Sequence, residues 1–452
     1  MKKLKLIYVL TLAFALTLAA CNGGGGGRRQ KGGYVVPQYP DGPSVNIGGC
    51  IGLPWHLVTQ EAFYDIAAAG INVIDADMIG TSISLADCLQ ILEYAEKAGV
   101  KVLVSDYDAS LYAQKAGKFN LESNFPHYKD HPALYGVHLV DEPDPGDFPA
   151  LKLAYDKVRA ALPEGKHAFI NVNDKTGDFS AHIKNYMETV APDHLSYDMY
   201  SLIRDKWSDE FKVILKDNYY ADLERVRHAA KDYGVWSHNY VLSISHRGIY
   251  TYPQPTEESL RWQIACYMAF GYDAFTHFTY FTPGNANAQT GDGWVYEAGA
   301  IDRDGKKTEI YDFFKTVNNE VHKWGNVYKS FTWQGTTNVA GSHGVYNSPL
   351  KTMKHAFSIA DTDGLQSVVS TGDLLLGVFT DAAQNKGFML VNAAIPYDGK
   401  AASAEVKFDA EYKGVMVFEK GVPAIKDLDG KNTAVIKLDS GEGKFLIPLK
   451  RG

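Results

Sequence analysis

Short apolar runs alternate with helix-spaced patterns along most of the chain, and this alternation predicts a fold class before any motif is weighed. Eight runs read as strands: VNIGGCI (45–51), INVIDA (71–76), KVLVSD (101–106), YGVHLVD (135–141), HAFINVN (167–173), HLSYDMY (194–200), VWSHNYVLSI (235–244) and AFTHFTYF (274–281). Between them lie helical segments, among them TQEAFYDIAAAG opening on Thr59, SLADCLQILEYAEKAG opening on Ser84, DFPALKLAYDKVRAAL, FSAHIKNYMETVA, DNYYADLERVRHAAKDYG and PTEESLRWQIACYMAFG. A hydroxyl residue before the first turn accepts an otherwise unsatisfied backbone N–H, and a glycine after the last turn takes the left-handed conformation that ends a helix. KTEIYDFFKTVNNEVHKWG (307–325) is the closing helix. Eight such units predict an α/β fold, a (β/α)8 TIM barrel over residues 44–330, for which about 250 residues is typical. An open doubly wound sheet is the competing fold, but the first run is not followed by GxGxxG and no Walker-type loop occurs.

Beyond Trp333 the texture changes to short β-like runs split by Gly, Asp, Asn and Lys turns: SVVSTGDLLLGVFTD, KGFMLVNAA, SAEVKFDA, GVMVFEKG, NTAVIKLD and GKFLIPL. These predict a smaller all-β sandwich over residues 331–452, which either braces the barrel or adds contacts to its ligand.

The first residues read as targeting rather than fold. A basic start (Lys2, Lys3, Lys5) precedes an apolar stretch from Leu6 to Ala20, and Leu18-Ala19-Ala20-Cys21 resembles the bacterial lipoprotein box. Residues 1–20 are therefore expected to be a signal peptide and Cys21 the lipidated residue. A Gly-rich flexible tether is expected over 21–43. The expected location is the cell envelope, anchored to the membrane through that lipid. Without Cys21, three cysteines remain (Cys50, Cys88, Cys266), each within an apolar stretch and without CxxC spacing, so they read as single buried thiols. A net charge of −8 with no long basic run gives no footprint for nucleic acid.

In a barrel of this kind, chemistry collects at the C-terminal ends of the strands. The stretch GVHLVDEPDPGDFPAL (136–151) ends its apolar run on Asp141-Glu142-Pro143, and the proline is expected to hold Glu142 extended. A plain turn is the competing reading of these residues, but their place at a strand end favours chemistry. Polar residues close the other runs too: Asp75 and Asp77, Asp106 and Asp108, Asn171 and Asn173, Asp198 and Tyr200, His238 with Asn239, Ser245 and His246, then His277 and Tyr280. Strand alternation turns about half of them away from the mouth. Trp55, Tyr107, Tyr200 and Trp294 lie near this ring, which suits a hydroxyl-rich ligand; Trp294 reads either as a sugar platform or as an interface aromatic. The histidines match no metal-ligand spacing, so hydroxyl contacts are favoured over a metal, and no cofactor is implied.

GVHLVDEP (136–143), LSYDMY (195–200), PTEESLRWQIACYMAFGYDAFTHFTYF (255–281) and GAIDRDGKKTEIY (299–311), on a barrel with a C-terminal β-domain, resemble the glycoside hydrolases of clan A, especially β-galactosidase-like members. The resemblance covers nearly all of the chain after the leader at the level of architecture. It implies Glu142 as acid/base and Tyr200 as the tyrosine that steers the partner carboxylate. Two positions depart from the clan: Asp141 stands where it has Asn, and WSHNYVLSISHRG (236–248) lacks its seventh-strand Glu. The catalytic candidates are Glu142 and Asp198, with Asp106 and then Glu297 as later choices for the second carboxylate, and like-charge repulsion from Asp141 is another way to keep Glu142 protonated. Asp77, Asp106, Asp141, Asn173, Tyr200, His238, His277, Tyr280 and Trp294 are the substrate-contact candidates. The expected activity is hydrolysis of an oligosaccharide or glycoside by carboxylate acid/base chemistry. The alternative is a non-catalytic carbohydrate-binding lipoprotein on the same scaffold; an esterase or lyase ranks lower, since no GxSxG elbow occurs.

Overall fold

All eight apolar runs become parallel strands of one closed barrel. The structure, a computed structural model, describes residues 28–31, 33–42, 44–75, 84–205, 211–248, 250–285, 293–342 and 348–452. The strands are β1 (Asn46–Gly49), β2 (Val73–Asp75), β3 (Lys101–Val104), β4 (Leu134–Asp141), β5 (His167–Val172), β6 (His194–Tyr197), β7 (Trp236–Leu242) and β8 (Ala274–Phe278). They pair in chain order, and β8 returns to β1. That closure needs Gly48, because a Cβ there would stand 2.1 Å from Thr276 Oγ1 across the β8–β1 pair.

The main helices are α1 (Gln60–Ala68), α2 (Leu85–Ala98), α3 (Phe148–Ala161), α4 (Phe179–Val190), α5 (Tyr219–Tyr233), α6 (Glu257–Ala269) and α7 (Glu309–His322); two short helices, Leu111–Lys115 and Phe125–Tyr128, follow β3. The expected caps form. Thr59 Oγ1 accepts from Ala62 N at 3.1 Å, and Ser84 Oγ accepts from Asp87 N at 3.1 Å, each stabilising its helix by about 1 kcal/mol.

After Lys329 the chain enters a sandwich of β9 (Phe331–Val339), β10 (Leu365–Ser370), β11 (Leu374–Asp381), β12 (Lys386–Asn392), β13 (Ala402–Phe408), β14 (Gly414–Glu419), β15 (Val422–Asp427), β16 (Thr433–Leu438) and β17 (Gly443–Leu449). One sheet runs β9-β11-β12-β17-β14-β15 and the other β10-β13-β16. Strand alternation splits β11 between two cores: Leu375 and Phe379 join the barrel cluster, whereas Leu374, Leu376 and Val378 fill the sandwich. Trp262 on α6 donates from Nε1 to Asn392 O at 3.0 Å, tying the barrel to the β-domain.

Part of the expected tether is ordered. Arg28–Lys31 pairs antiparallel with Tyr34–Pro37, and Val35 N donates to Lys450 O at 3.0 Å, so this hairpin extends along the end of the chain. Its polar sequence hid it, since pairing here is carried by backbone groups. Cys50, Cys88 and Cys266 are buried free thiols. Among the described residues no helix is long and apolar enough to cross a membrane, and the expected leader with Cys21 lies outside them.

Candidate active site

Three carboxyl groups converge at the C-terminal ends of β4 and β6. Asp141 pairs in register with Asn171 on β5, and Glu142 continues the ladder by donating its backbone N–H to Asn171 O at 2.9 Å. Glu142 is nevertheless not extended as Pro143 led us to expect: its φ is +46°. The left-handed region is uncommon for a residue with a side chain and costs of order 1–3 kcal/mol. The backbone kink ends the strand sharply. Successive side chains on a straight strand diverge, whereas here both Glu142 and Asp141 act on Asp198, Glu142 the more strongly.

Asn171 organises the group from below. Its Nδ2 donates to Asp198 Oδ1 at 2.8 Å and to Asp141 Oδ1 at 3.1 Å, so both amide protons are committed to acids. Its Oδ1 accepts from Ser196 Oγ at 2.7 Å. Ser196 has only one proton to give, so it accepts from His238 Nδ1 at 2.8 Å, and His238 Nε2 in turn accepts from Thr276 Oγ1 at 2.8 Å. Every direction in this chain is thereby determined, and His238 is the neutral Nδ1–H tautomer. Burial agrees, holding His238 down at about 3.

Burial and like charge set the electrostatics of the mouth. Asp198 is raised well above the usual carboxylate range by burial, then by Glu142 and Asp141, against the opposing hydrogen bond from Asn171. Asp141 is pushed up to about 7 by burial and by Glu142, although Asn171 and Lys175 oppose the shift. Asp75, at the end of β2, also reaches about 7 through burial, despite a hydrogen bond with Cys50. Its Oδ2 has no hydrogen-bond partner. Lys175 Nζ lies 3.5 Å from Glu142 Oε2, on the outer side of the group, and the Glu142 side chain is 31% exposed. Near-neutral acids held together in this way are a mark of functional sites.

Aromatic rings line one side of the mouth. Tyr200 stacks on Phe278 with centroids 5.3 Å apart and meets His246 and Tyr252 edge-on. Trp294 is packed on this wall: its ring lies 5.2 Å from His246 and against Gly248, where a Cβ would come within 2.3 Å. Trp55, after β1, is 51% exposed, and Tyr107, Tyr112 (on the short helix Leu111–Lys115) and Tyr250 are exposed in the segments that follow β3 and β7.

Other sequence candidates fall elsewhere. His277 points outward to the helices, with Nδ1 on Ser243 Oγ and Nε2 on Asn318 Oδ1, both at 2.9 Å, and its ring stacks on Phe314. Tyr280 is buried, its Cβ against the backbone of Gly49. Alternation along β8 sends Thr276 and Phe278 inward and leaves His277 outward. Asp106 caps a single turn, accepting from Tyr128 Oη at 2.7 Å and Asp108 N at 3.1 Å. His238 lies beneath the mouth and not at its rim. Asn173 follows β5, with a buried Oδ1 that has no hydrogen-bond partner. Glu297 is exposed, with its N–H on Ser245 O. Asp77 lies outside the described residues. Lys175 carries no sequence signal, and Asn171 shows only as a polar strand-end residue. Among the described residues no three His, Cys, Asp or Glu side chains group as a metal's ligands would.

No protein-family model and no curated protein matches the sequence. Solved structures do match the fold. A catalytic mutant of Gan42B, a β-galactosidase from G. stearothermophilus, aligns over 90% of this chain and 98% of its own, with TM-score 0.53 and 8% identity. A Bacteroides fragilis protein assigned as an α-galactosidase aligns over 90% of this chain and 80% of its own, with TM-score 0.50 and 9% identity. The β-galactosidase of the psychrophilic Marinomonas ef1 aligns over 63% of this chain and 60% of its own, with TM-score 0.47 and 12% identity. The chain thus has the fold of a (β/α)8 barrel followed by a β-domain, and its structural neighbours are glycoside hydrolases.

Proposed function

We propose that the chain hydrolyses glycosidic bonds, with Glu142 and Asp198 as its carboxyl pair. One observation carries the reading: acids from the ends of β4 and β6 converge on a single Asn171 amide at a barrel mouth walled by aromatic rings. Two carboxyls that share a proton supply one acid and one base, which is what glycoside hydrolysis needs. Burial and two acidic neighbours leave the proton on Asp198. Glu142 is the partly exposed member of the pair and lies 3.5 Å from Lys175. Asp198 gives its proton to the departing glycosidic oxygen, while Glu142 attacks the anomeric carbon or takes a proton from the attacking water.

This order reverses the one the clan resemblance implies, in which Glu142 is the donor. Aryl glycosides with good and poor leaving groups separate the two, because a good leaving group does not need a proton. With Asp198 as donor, Asp198→Asn keeps more activity on a dinitrophenyl glycoside than on a methyl glycoside, and Glu142→Gln loses both. The opposite pattern restores the clan order. Binding of sugar without turnover of any glycoside by the wild type makes the chain a carbohydrate-binding protein instead. The leader and Cys21 complete the reading as a lipid-anchored protein of the cell envelope; radiolabelled palmitate incorporated by the wild type and lost in Cys21→Ser tests that part.

A further inference from the structure

The β-domain carries a groove of about 720 Å³ to which no barrel strand end contributes. Its volume falls within the roughly 300–1,000 Å³ of small-molecule sites. The groove opens at one edge of the sandwich, beside β9 and β11, and is flanked by the Phe357–Asp363 segment and the Asp381–Lys386 turn. A β-bulge in β9 between Trp333 and Gly335 shapes its floor. Because Gly335 has no side chain, the Phe357 ring lies close over it; a Cβ there would stand 2.9 Å from Phe357 Cε1. Phe357 and Val378 supply apolar surface, and Thr332, Gln334, Asp361 and Gln384 supply polar rim.

The charges in this lining exclude an anion. Lys386 is the lysine of the groove, and Asp363 pairs with it at 3.4 Å. Asp381 is occupied within its own turn, accepting from Ala383 N, Asn385 N and Asn385 Nδ2. Asp361 remains as an exposed acceptor among amide and hydroxyl groups. Apolar floor beneath amide and hydroxyl groups and one free carboxylate acceptor matches a ring that has one apolar face and hydroxyls at its edge. We infer that this groove binds a neutral saccharide unit as a second site, independent of whether the mouth hydrolyses.

Electrophoresis of the full chain carrying Glu142→Gln, through gels containing soluble galactan, arabinoxylan or hydroxyethylcellulose, tests this inference. At least one polymer is expected to retard the protein. Adding Gln334→Ala with Asp361→Ala, both exposed positions, is expected to weaken that retardation about tenfold or more through the lost hydrogen bonds. Adding Asp198→Asn instead is expected to leave it unchanged. An unchanged thermal melt shows that each variant is folded. The inference is overturned if no polymer retards the chain, if the groove variant runs like its parent, or if Asp198→Asn alone removes the retardation. Turnover of aryl glycosides by the wild type reads the mouth separately, so either site can fail without the other.

Discussion

Buried charge is handled in opposite ways in the two domains. In the β-domain, Lys444 is 6% exposed and lies 3.1 Å from Glu419 and 3.4 Å from Glu442, so opposite charges neutralise each other locally. At the barrel mouth Asp75, Asp141, Glu142 and Asp198 are gathered together, with Lys175 only at the outer edge. Paired burial serves the fold, whereas like-charge burial leaves protons on acids that would otherwise have lost them. The second arrangement costs stability and is held by over-determined geometry: the left-handed Glu142 backbone and an Asn171 amide fixed by Ser196 and His238.

The sharpest way to break this contrast is to neutralise the mouth. Asp198→Asn is expected to lower turnover of a glycoside with a poor leaving group by about 10²–10⁴-fold, the usual weight of a general acid, with the melting transition kept. Lys444→Met is the counterpart in the β-domain. It removes the closer cation from Glu442, leaving Lys420 at 3.9 Å, and is expected to cost about 1–3 kcal/mol in urea unfolding, below the roughly 3–5 kcal/mol of a fully unpaired buried charge, while activity per folded molecule is unchanged.

Asp75 separates the two regimes by pH. Its folded value of about 7 lies above the unfolded carboxylate range. The folded chain therefore holds a proton that the unfolded chain has lost, so stability is greatest below the unfolded value and falls as pH rises through about 7. Asp75→Asn is expected to stabilise the protein at pH 8, by at most about 4 kcal/mol, and to do little at pH 4; unfolding curves at the two pH values check it. The smallest effect is expected from Ser196→Ala. It leaves the His238 Nδ1–H without its acceptor and costs about 1–3 kcal/mol, with a lesser fall in turnover than Asp198→Asn.

The barrel was legible because its strands are continuous apolar runs and its helices open on Thr59 and Ser84 with the side-chain caps that were expected. β9 (FTWQGTTNV) and β15 (VPAIKD) were not, since both are edge strands of their sheet with too few apolar residues to show a period. Asp141, Glu142 and Asp198 were legible as acids at strand ends. Their meeting was not, because it depends on the φ of Glu142, and a following proline predicts the opposite. The candidates on β8 failed for a simpler reason. Which alternate residue faces inward is set by register, and Gly48 opposite Thr276 fixes that register only once the barrel has closed.

The central claim is that one acid of the pair keeps its proton at neutral pH. An infrared difference spectrum at pH 7 between the wild type and Asp198→Asn isolates that group. The account predicts the carbonyl band of a protonated carboxyl in the wild type, absent from the variant. A difference containing only the bands of an ionised carboxylate would contradict it.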